Sequence, residues 1–100
     1  MPKEINIICT FELSEKQQKR IRETSDRVKL TVIPSTKAED ILEARWEKAD
    51  VLYTWNVLPD PEKAPNLKWV QFNSAGIDPF LDHPMLKKQD VIATTMSGVI

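Results

Sequence analysis

The sequence predicts a three-layer α/β domain built on a doubly wound sheet of five parallel strands. Its 100 residues contain five short apolar runs that are rich in β-branched or aromatic residues, as strands usually are. Successive runs begin roughly 20 residues apart, which fits one strand, one helix and two short loops. Runs such as INIIC and KLTVI are mainly apolar, which favours parallel strands covered on both faces. The predicted strands are Ile5 to Phe11, Val28 to Ile33, Asp50 to Trp55, Leu67 to Asn73 and Val91 to Thr95.

The first two connections predict helices. Ser14, with Gln17 three residues later, forms a capping box, and the segment after it has so few apolar residues that its helix should lie at the surface. Thr36 and Glu39 form a second capping box, which predicts a helix that packs on the sheet. The apolar face predicted for this second helix consists of Ala38, Ile41, Leu42, Trp46 and Ala49.

The last two connections predict only one or two helical turns each. Asp60 and Pro61 are typical of an N-cap and a first helical residue, but Pro65 ends the turn soon afterwards. Pro84 is the expected start of the final turn. The residues expected to be buried in that connection are Phe80, Leu81, Met85 and Leu86.

The predicted strand order locates the candidate ligand site. Five strands of this kind commonly take the flavodoxin-like order 2-1-3-4-5, in which ligands bind outside the carboxyl ends of the strands. We expect a single domain over residues 1–100. The loops at its carboxyl edge would be 10–13, 55–59, 74–78 and 96–98.

Composition excludes several classes of protein. A net charge of −1 provides no cationic field for nucleic acid or an anionic membrane, and no apolar run approaches the roughly 20 residues of a membrane span. Cys9, the one cysteine, cannot form an internal disulfide and is expected to be a small buried apolar residue. We therefore expect a cytoplasmic protein.

The loops lack the motifs of the common nucleotide and metal sites. The first loop has no glycine to wrap a flavin phosphate, and neither G-x-x-x-x-G-K-[ST] nor G-x-G-x-x-G occurs. The strand ends lack the acidic residues of a phosphorylation receiver. His83 has no companion at ligand spacing, so a metal site is not expected, and Asp78 before Pro79 is more typical of a turn than of a catalytic acid.

The turn Ser74-Ala75-Gly76 follows the fourth predicted strand and allows two interpretations. Three small residues at a carboxyl end would expose consecutive backbone N–H groups to an anion. Alternatively, Gly76 simply permits a positive φ in a tight turn. The residues alone favour neither interpretation.

A resemblance to a known family favours the first one. The segments LKWVQFNSAGIDPF, DVIATTMSGVI and ADVLYTWNVLPDP resemble the amino-terminal domain of the D-isomer-specific 2-hydroxyacid dehydrogenases, well over residues 49–100 and by topology before them. The resemblance implies a parent enzyme that uses NAD or NADP, and a substrate domain that binds the carboxylate of a 2-oxo acid. The implied binding residues are the backbone amides of Ser74, Ala75 and Gly76, with Trp55 and Asn56 as candidate pocket walls.

The chain also departs from the family. It ends at Ile100, whereas family members continue into a Rossmann domain that supplies the cofactor site and the catalytic arginine, acid and histidine. We therefore expect a fragment without catalytic or cofactor-binding residues, inactive alone, with the final helix missing. The alternative is a stand-alone flavodoxin-like binding or scaffold module without catalytic activity. The uncovered sheet face predicts a homodimer.

Overall fold

The computed structural model of the chain describes residues 4–73, 82–88, 90–95 and 98–99. Short 3₁₀ helices in the connections span Ala38–Asp40 and Pro84–Lys87. The main elements, in chain order, are β1 (Ile5–Cys9), α1 (Glu15–Glu23), β2 (Val28–Val32), α2 (Glu43–Lys48), β3 (Val51–Thr54), β4 (Trp69–Phe72), β5 (Ile92–Thr95) and β6 (Gly98–Val99).

The sheet has the predicted architecture. Strands β1 to β5 are parallel and lie in the order β2-β1-β3-β4-β5, which confirms the flavodoxin-like α/β prediction. The strand β6 was not predicted, because two residues are too few to show an alternating pattern. It pairs antiparallel with β5, with Val99 opposite Thr94 and Gly98 opposite Thr95.

The strand register assigns side chains to two faces of the sheet. Residues paired in register point to the same face, and successive residues along a strand point to opposite faces. One face, here called the α2 face, carries Ile8, Leu52, Val70 and Phe72. The other, called the α1 face, carries Ile7, Leu30, Val51, Tyr53, Trp69, Gln71, Ile92 and Thr94.

The main core lies on the α2 face. Its strand residues are at most 3% exposed, and Trp46 of α2 packs among them at 1% exposure. The long connection between β3 and β4 also contributes to this core. The buried residues from outside the strands are Ile41, Trp46, Ala49, Val57, Ala64, Leu67 and Met85.

The helix α1 confirms its prediction. The Ser14 hydroxyl accepts from the amide of Gln17 at 3.1 Å, and the Gln17 side chain accepts from the amide of Ser14 at 3.0 Å. Each bond satisfies a backbone donor that the helix itself leaves unpaired. None of the residues of α1 is fully buried, as expected of a surface helix.

The start predicted for α2 is wrong. Its N-cap is Leu42, not Thr36, and no side chain caps it. Ile41 is buried in the core with an extended backbone (φ −106°, ψ 132°). This extended residue prevents one continuous helix from Thr36. The indole N–H of Trp46 donates to the Ala38 carbonyl at 3.0 Å and ties the preceding 3₁₀ turn to α2. The expected burial of Leu42 is also wrong: as N-cap it lies at the surface, 71% exposed.

The described parts of the two shorter connections contain turns and a 3₁₀ helix. The amide of Lys63 donates to the Asp60 carbonyl at 3.0 Å, which closes a turn where a short helix was expected. The predicted start at Pro84 is confirmed, and the ring nitrogen of His83 caps this 3₁₀ helix by accepting from the Met85 amide at 3.1 Å. Met85 is buried and Leu86 packs against the core, whereas Phe80 and Leu81 lie outside the described residues.

The α1 face is only partly covered. The helix α1 packs beside β2, where Leu30 is 9% exposed. Towards the other side of the sheet, Trp69 is 43% exposed and Ile92 is 59% exposed. None of the helices that the structure describes has the length and apolar character needed to cross a membrane.

Replacing Trp46 with alanine should lower the free energy of unfolding by about 3 to 5 kcal/mol, because a large cavity would remain in the core. The matched control is Trp55→Ala. Because Trp55 is 50% exposed, this variant should lose much less free energy of unfolding. Denaturant unfolding followed by circular dichroism measures both losses. Equal losses for the two variants would contradict the burial of Trp46.

Candidate functional site

The carboxyl ends of β1, β3 and β4 meet at one edge of the sheet. The hydrogen-bond ladder continues one residue past the strands: the Thr10 amide donates to the Tyr53 carbonyl at 3.1 Å, and the Asn73 amide donates to the Thr54 carbonyl at 2.8 Å. These bonds fix where each loop leaves the sheet. The edge formed by Thr10, Phe11, Tyr53, Thr54, Trp55 and Asn73 is called the carboxyl edge below.

Two buried hydroxyl groups join the first two loops. The Oγ1 atoms of Thr10 and Thr54 lie 2.6 Å apart, and these side chains are 4% and 0% exposed. The Thr54 hydroxyl also accepts from the amide of Val57 at 2.9 Å. Buried hydroxyl groups need such partners, because leaving them unpaired costs free energy. The Thr54 side chain thus fixes the base of the loop that carries Trp55 and Asn56.

Three aromatic rings line the α1-face side of this edge. The rings of Phe11 and Tyr53 contact each other edge to face, with centroids 4.8 Å apart and an interplanar angle of 77°. The Trp55 ring lies 6.2 Å from that of Phe11 at 66°. Aromatic pairs favour this edge-to-face arrangement. The rings therefore form a wall that is partly open to solvent.

A cavity adjoins this wall. It has a volume of about 230 Å³ and lies between Tyr53 and the first helix, with Leu13, Gln17, Arg20 and Ile21 on the helix side. The Tyr53 hydroxyl donates to the side-chain oxygen of Asn73 at 3.3 Å, so the rim towards the fourth strand is polar. The next residue after Asn73 is Ser74, the first of the predicted anion-binding turn.

Burial keeps the ionisable groups Cys9 and Tyr53 protonated. Burial raises the pKa of the Cys9 thiol, although its hydrogen bond to the Phe11 carbonyl acts in the opposite direction. Burial, and to a lesser extent the nearby Cys9, raises the pKa of the Tyr53 phenol. Both groups are hydrogen-bond donors at neutral pH. Their protonation suits binding better than nucleophilic or acid–base chemistry.

The predicted site residues divide into two groups. Trp55 and Asn56 lie on the loop after β3, as predicted, and both are exposed to solvent. Ser74, Ala75 and Gly76 lie outside the described residues, so their role in binding a carboxylate stays a prediction. The structure brings Trp55 next to Phe11 through ring contact, whereas Asn56 makes no such contact with the aromatic wall among the described residues.

The Thr10–Thr54 pair and the aromatic wall were not predicted from the sequence. Acids, glycines and histidines are the residues that usually mark a site at strand ends, whereas single threonines and aromatic residues are also common in strands. A signal was present, since a threonine is the penultimate residue of both the first and the third predicted strand. In parallel strands such ends lie side by side, so two threonines there can meet.

The described residues do not build a metal site. No three side chains of histidine, cysteine, aspartate or glutamate come together anywhere in the part of the chain that the structure describes. One ring nitrogen of His83 is already occupied by the Met85 amide. The carboxyl edge offers donors and aromatic surface, which suit a small polar organic ligand.

Thr54→Val should lower the free energy of unfolding by about 1 to 3 kcal/mol, because the buried Thr10 hydroxyl and the Val57 amide would lose their partner. Thr10→Val should lower the free energy of unfolding by a similar amount. The double variant should cost less than the sum of the two single variants, since no hydroxyl of the pair would then be left unpaired. Strict additivity in denaturant unfolding would show that the two hydroxyls are not coupled.

Comparisons with known proteins find the same fold in two solved structures. No family model and no curated protein sequence matches the chain. Among solved structures, phosphoglycerate dehydrogenase from Lactobacillus plantarum matches with a TM-score of 0.65 and 21% identity, over 93% of this chain and 29% of that one. D-lactate dehydrogenase from Aquifex aeolicus, solved with NAD and lactic acid, matches with a TM-score of 0.64 and 19% identity, over 92% of this chain and 28% of that one. The chain thus spans less than a third of these dehydrogenases, and at this identity the likeness shows a shared fold.

Proposed function

We propose that residues 1–100 form the substrate-binding domain of an NAD(P)-dependent oxidoreductase that acts on a 2-hydroxy or 2-oxo acid. One observation carries the proposal: almost the whole chain shares the fold of a part of two dehydrogenases. The sequence resemblance at SAGID and the position of Asn73 at the carboxyl edge support it further.

The proposed site lies at the carboxyl edge. The backbone amides of Ser74, Ala75 and Gly76 bind the substrate carboxylate, because three consecutive small residues leave room for an anion. Trp55 and Asn56 form an exposed wall of the pocket. The Thr10–Thr54 hydroxyl pair holds the base of that wall in place.

The hydride transfer itself belongs to the parent enzyme. There, the hydride passes between the substrate C2 atom and NAD or NADP, and the hydroxyl proton passes to or from a base outside this chain. In this proposal the cofactor contacts and the base both lie outside residues 1–100, and the chain is inactive alone. A cytoplasmic location is consistent with Cys9, a buried free thiol. Neither nucleic acid nor a membrane is a proposed partner of this nearly neutral domain.

The α1 face supports a proposal about association. Trp69 and Ile92 are exposed there, and their neighbours Gln71 and Thr94 are uncharged. The Trp69 indole donates to the Thr94 hydroxyl at 2.8 Å, and that hydroxyl bonds to the Gln71 side chain, so these polar groups are already paired. A flat, uncharged surface of this kind suits a second copy of itself in a homodimer.

Substrate binding can be tested by titrating the ¹⁵N-labelled chain with pyruvate and following backbone amide shifts by NMR. The largest shifts should occur at residues 74–76 and at Trp55, because the carboxylate binds to those amides. Trp55→Ala should weaken binding by about tenfold, and the matched control Trp69→Ala should not. No NADH oxidation should accompany binding.

Acetate, which lacks the oxo group, and hydroxyacetone, which lacks the carboxylate, are the ligand controls. Both should bind more weakly than pyruvate. Equal shifts with all three compounds, or none near residues 74–76, would instead favour the stand-alone binding or scaffold module. Turnover of NADH by the pure chain would disprove the predicted inactivity.

Association can be tested by sedimentation over an about hundredfold range of concentration. The chain should change from monomer to dimer across that range, and Ile92→Glu should keep it monomeric because a charge would be buried. Leu42→Glu adds the same charge at another exposed apolar residue and should leave association unchanged. A constant monomer mass for the unmodified chain would rule out the homodimer.

A further inference from the structure

A second cavity lies beside α2, against strand residues that precede the carboxyl edge. It has a volume of about 300 Å³ and separates α2 from β1 and β2 on the α2 face. Asn6, near the start of β1, lines it, and the backbone of Asn6 pairs with Asp50 just before β3. None of the residues named as the carboxyl edge lines this cavity. It is therefore separate from the proposed oxo-acid site.

The cavity has an apolar floor and an apolar lip. Ile8 forms part of the floor and is 3% exposed. Leu42 stands at the lip and is 71% exposed, the most exposed of the large apolar side chains in the described ranges. A leucine that is the N-cap of α2 gains nothing there from capping, because it has no side-chain acceptor. A ligand in the cavity would cover the exposed side chain of Leu42.

Four polar side chains around the cavity have no protein partner. The side chains of Asn6, Thr31, Arg45 and Lys48 form no hydrogen bond or ion pair with any residue that the structure describes. Several other lysines in the described chain do pair with carboxylates. Examples of such pairs are Lys19–Glu23, Lys29–Glu4 and Lys68–Asp90.

The neighbouring acids do not neutralise the two cations. Glu43 and Glu47 lie on α2 with Arg45 and Lys48, yet neither glutamate lines the cavity or pairs with these cations. Asp50, another acid close to Asn6, accepts from the Asn6 amide at 2.8 Å. The rim of the cavity on the α2 side is thus positively charged.

We propose that this cavity binds a small amphipathic carboxylate. Arg45 and Lys48 bind the carboxylate, since a guanidinium can donate two hydrogen bonds to one carboxylate. The Asn6 and Thr31 side chains supply further hydrogen bonds, and the apolar part of the ligand lies between Ile8 and Leu42. A volume of about 300 Å³ is at the lower end for sites that bind small organic molecules. This site goes beyond the proposed function and does not depend on it.

The test is an NMR titration of the ¹⁵N-labelled full chain with hexanoate. Amide shifts should be concentrated at Asn6, Thr31 and residues 42–48. Hexanol, which has the same chain without the charge, should bind at least about tenfold more weakly. The double variant Arg45→Gln/Lys48→Gln should lose about tenfold or more in affinity for hexanoate.

The matched control is Lys16→Gln/Arg22→Gln, which removes two exposed cations from α1. Its affinity for hexanoate should be within about twofold of that of the unmodified chain, because the variant changes the net charge but no residue that lines the cavity. The proposal is overturned if hexanoate shifts only residues of the α1 face or the carboxyl edge, if hexanol binds equally well, or if both double variants lose the same affinity. Failure to bind pyruvate at residues 74–76 would leave these outcomes unaffected.

Discussion

The register of β1 against β3 is the constraint on which the rest of the structure depends. Cys9 lies opposite Tyr53, so the next residues, Thr10 and Thr54, are level and their hydroxyls meet in the interior. A shift of one residue would turn every side chain of β1 to the other face, placing Ile8 away from the core. The same register aligns the loops of the carboxyl edge. Core packing and the candidate site are therefore consequences of a single alignment.

Patterns that are local in the chain could be predicted from the sequence. The capping box of α1 and the start at Pro84 need only residues a few positions apart, and both are confirmed. The start of α2 could not be predicted, since the extended backbone of Ile41 results from burial against strands distant in the chain. The strand order followed from the rhythm of the connections, but the Thr10–Thr54 contact depends on which strands become neighbours.

The two faces of the sheet are stabilised differently. On the α2 face, a contiguous apolar core includes Trp46, Phe72 and Met85, each at most 1% exposed. On the α1 face, the surface of β4 and β5 relies on paired polar groups such as the Trp69 indole and the Thr94 hydroxyl. The first face makes the fold stable, and the second leaves a surface on which a further element or copy can pack.

The short antiparallel strand β6 changes which backbone groups are left open at one edge of the sheet. An open edge strand presents unpaired backbone groups that can recruit strands from other molecules and start aggregation. By pairing with Thr94 and Thr95, β6 occupies the outer side of β5 with a strand of only two residues. At the opposite edge, the charged Lys29 of β2 pairs with Glu4 at 3.2 Å, and a charge there disfavours strand addition. Both ends of the sheet thus carry features that natural proteins use against fibril formation.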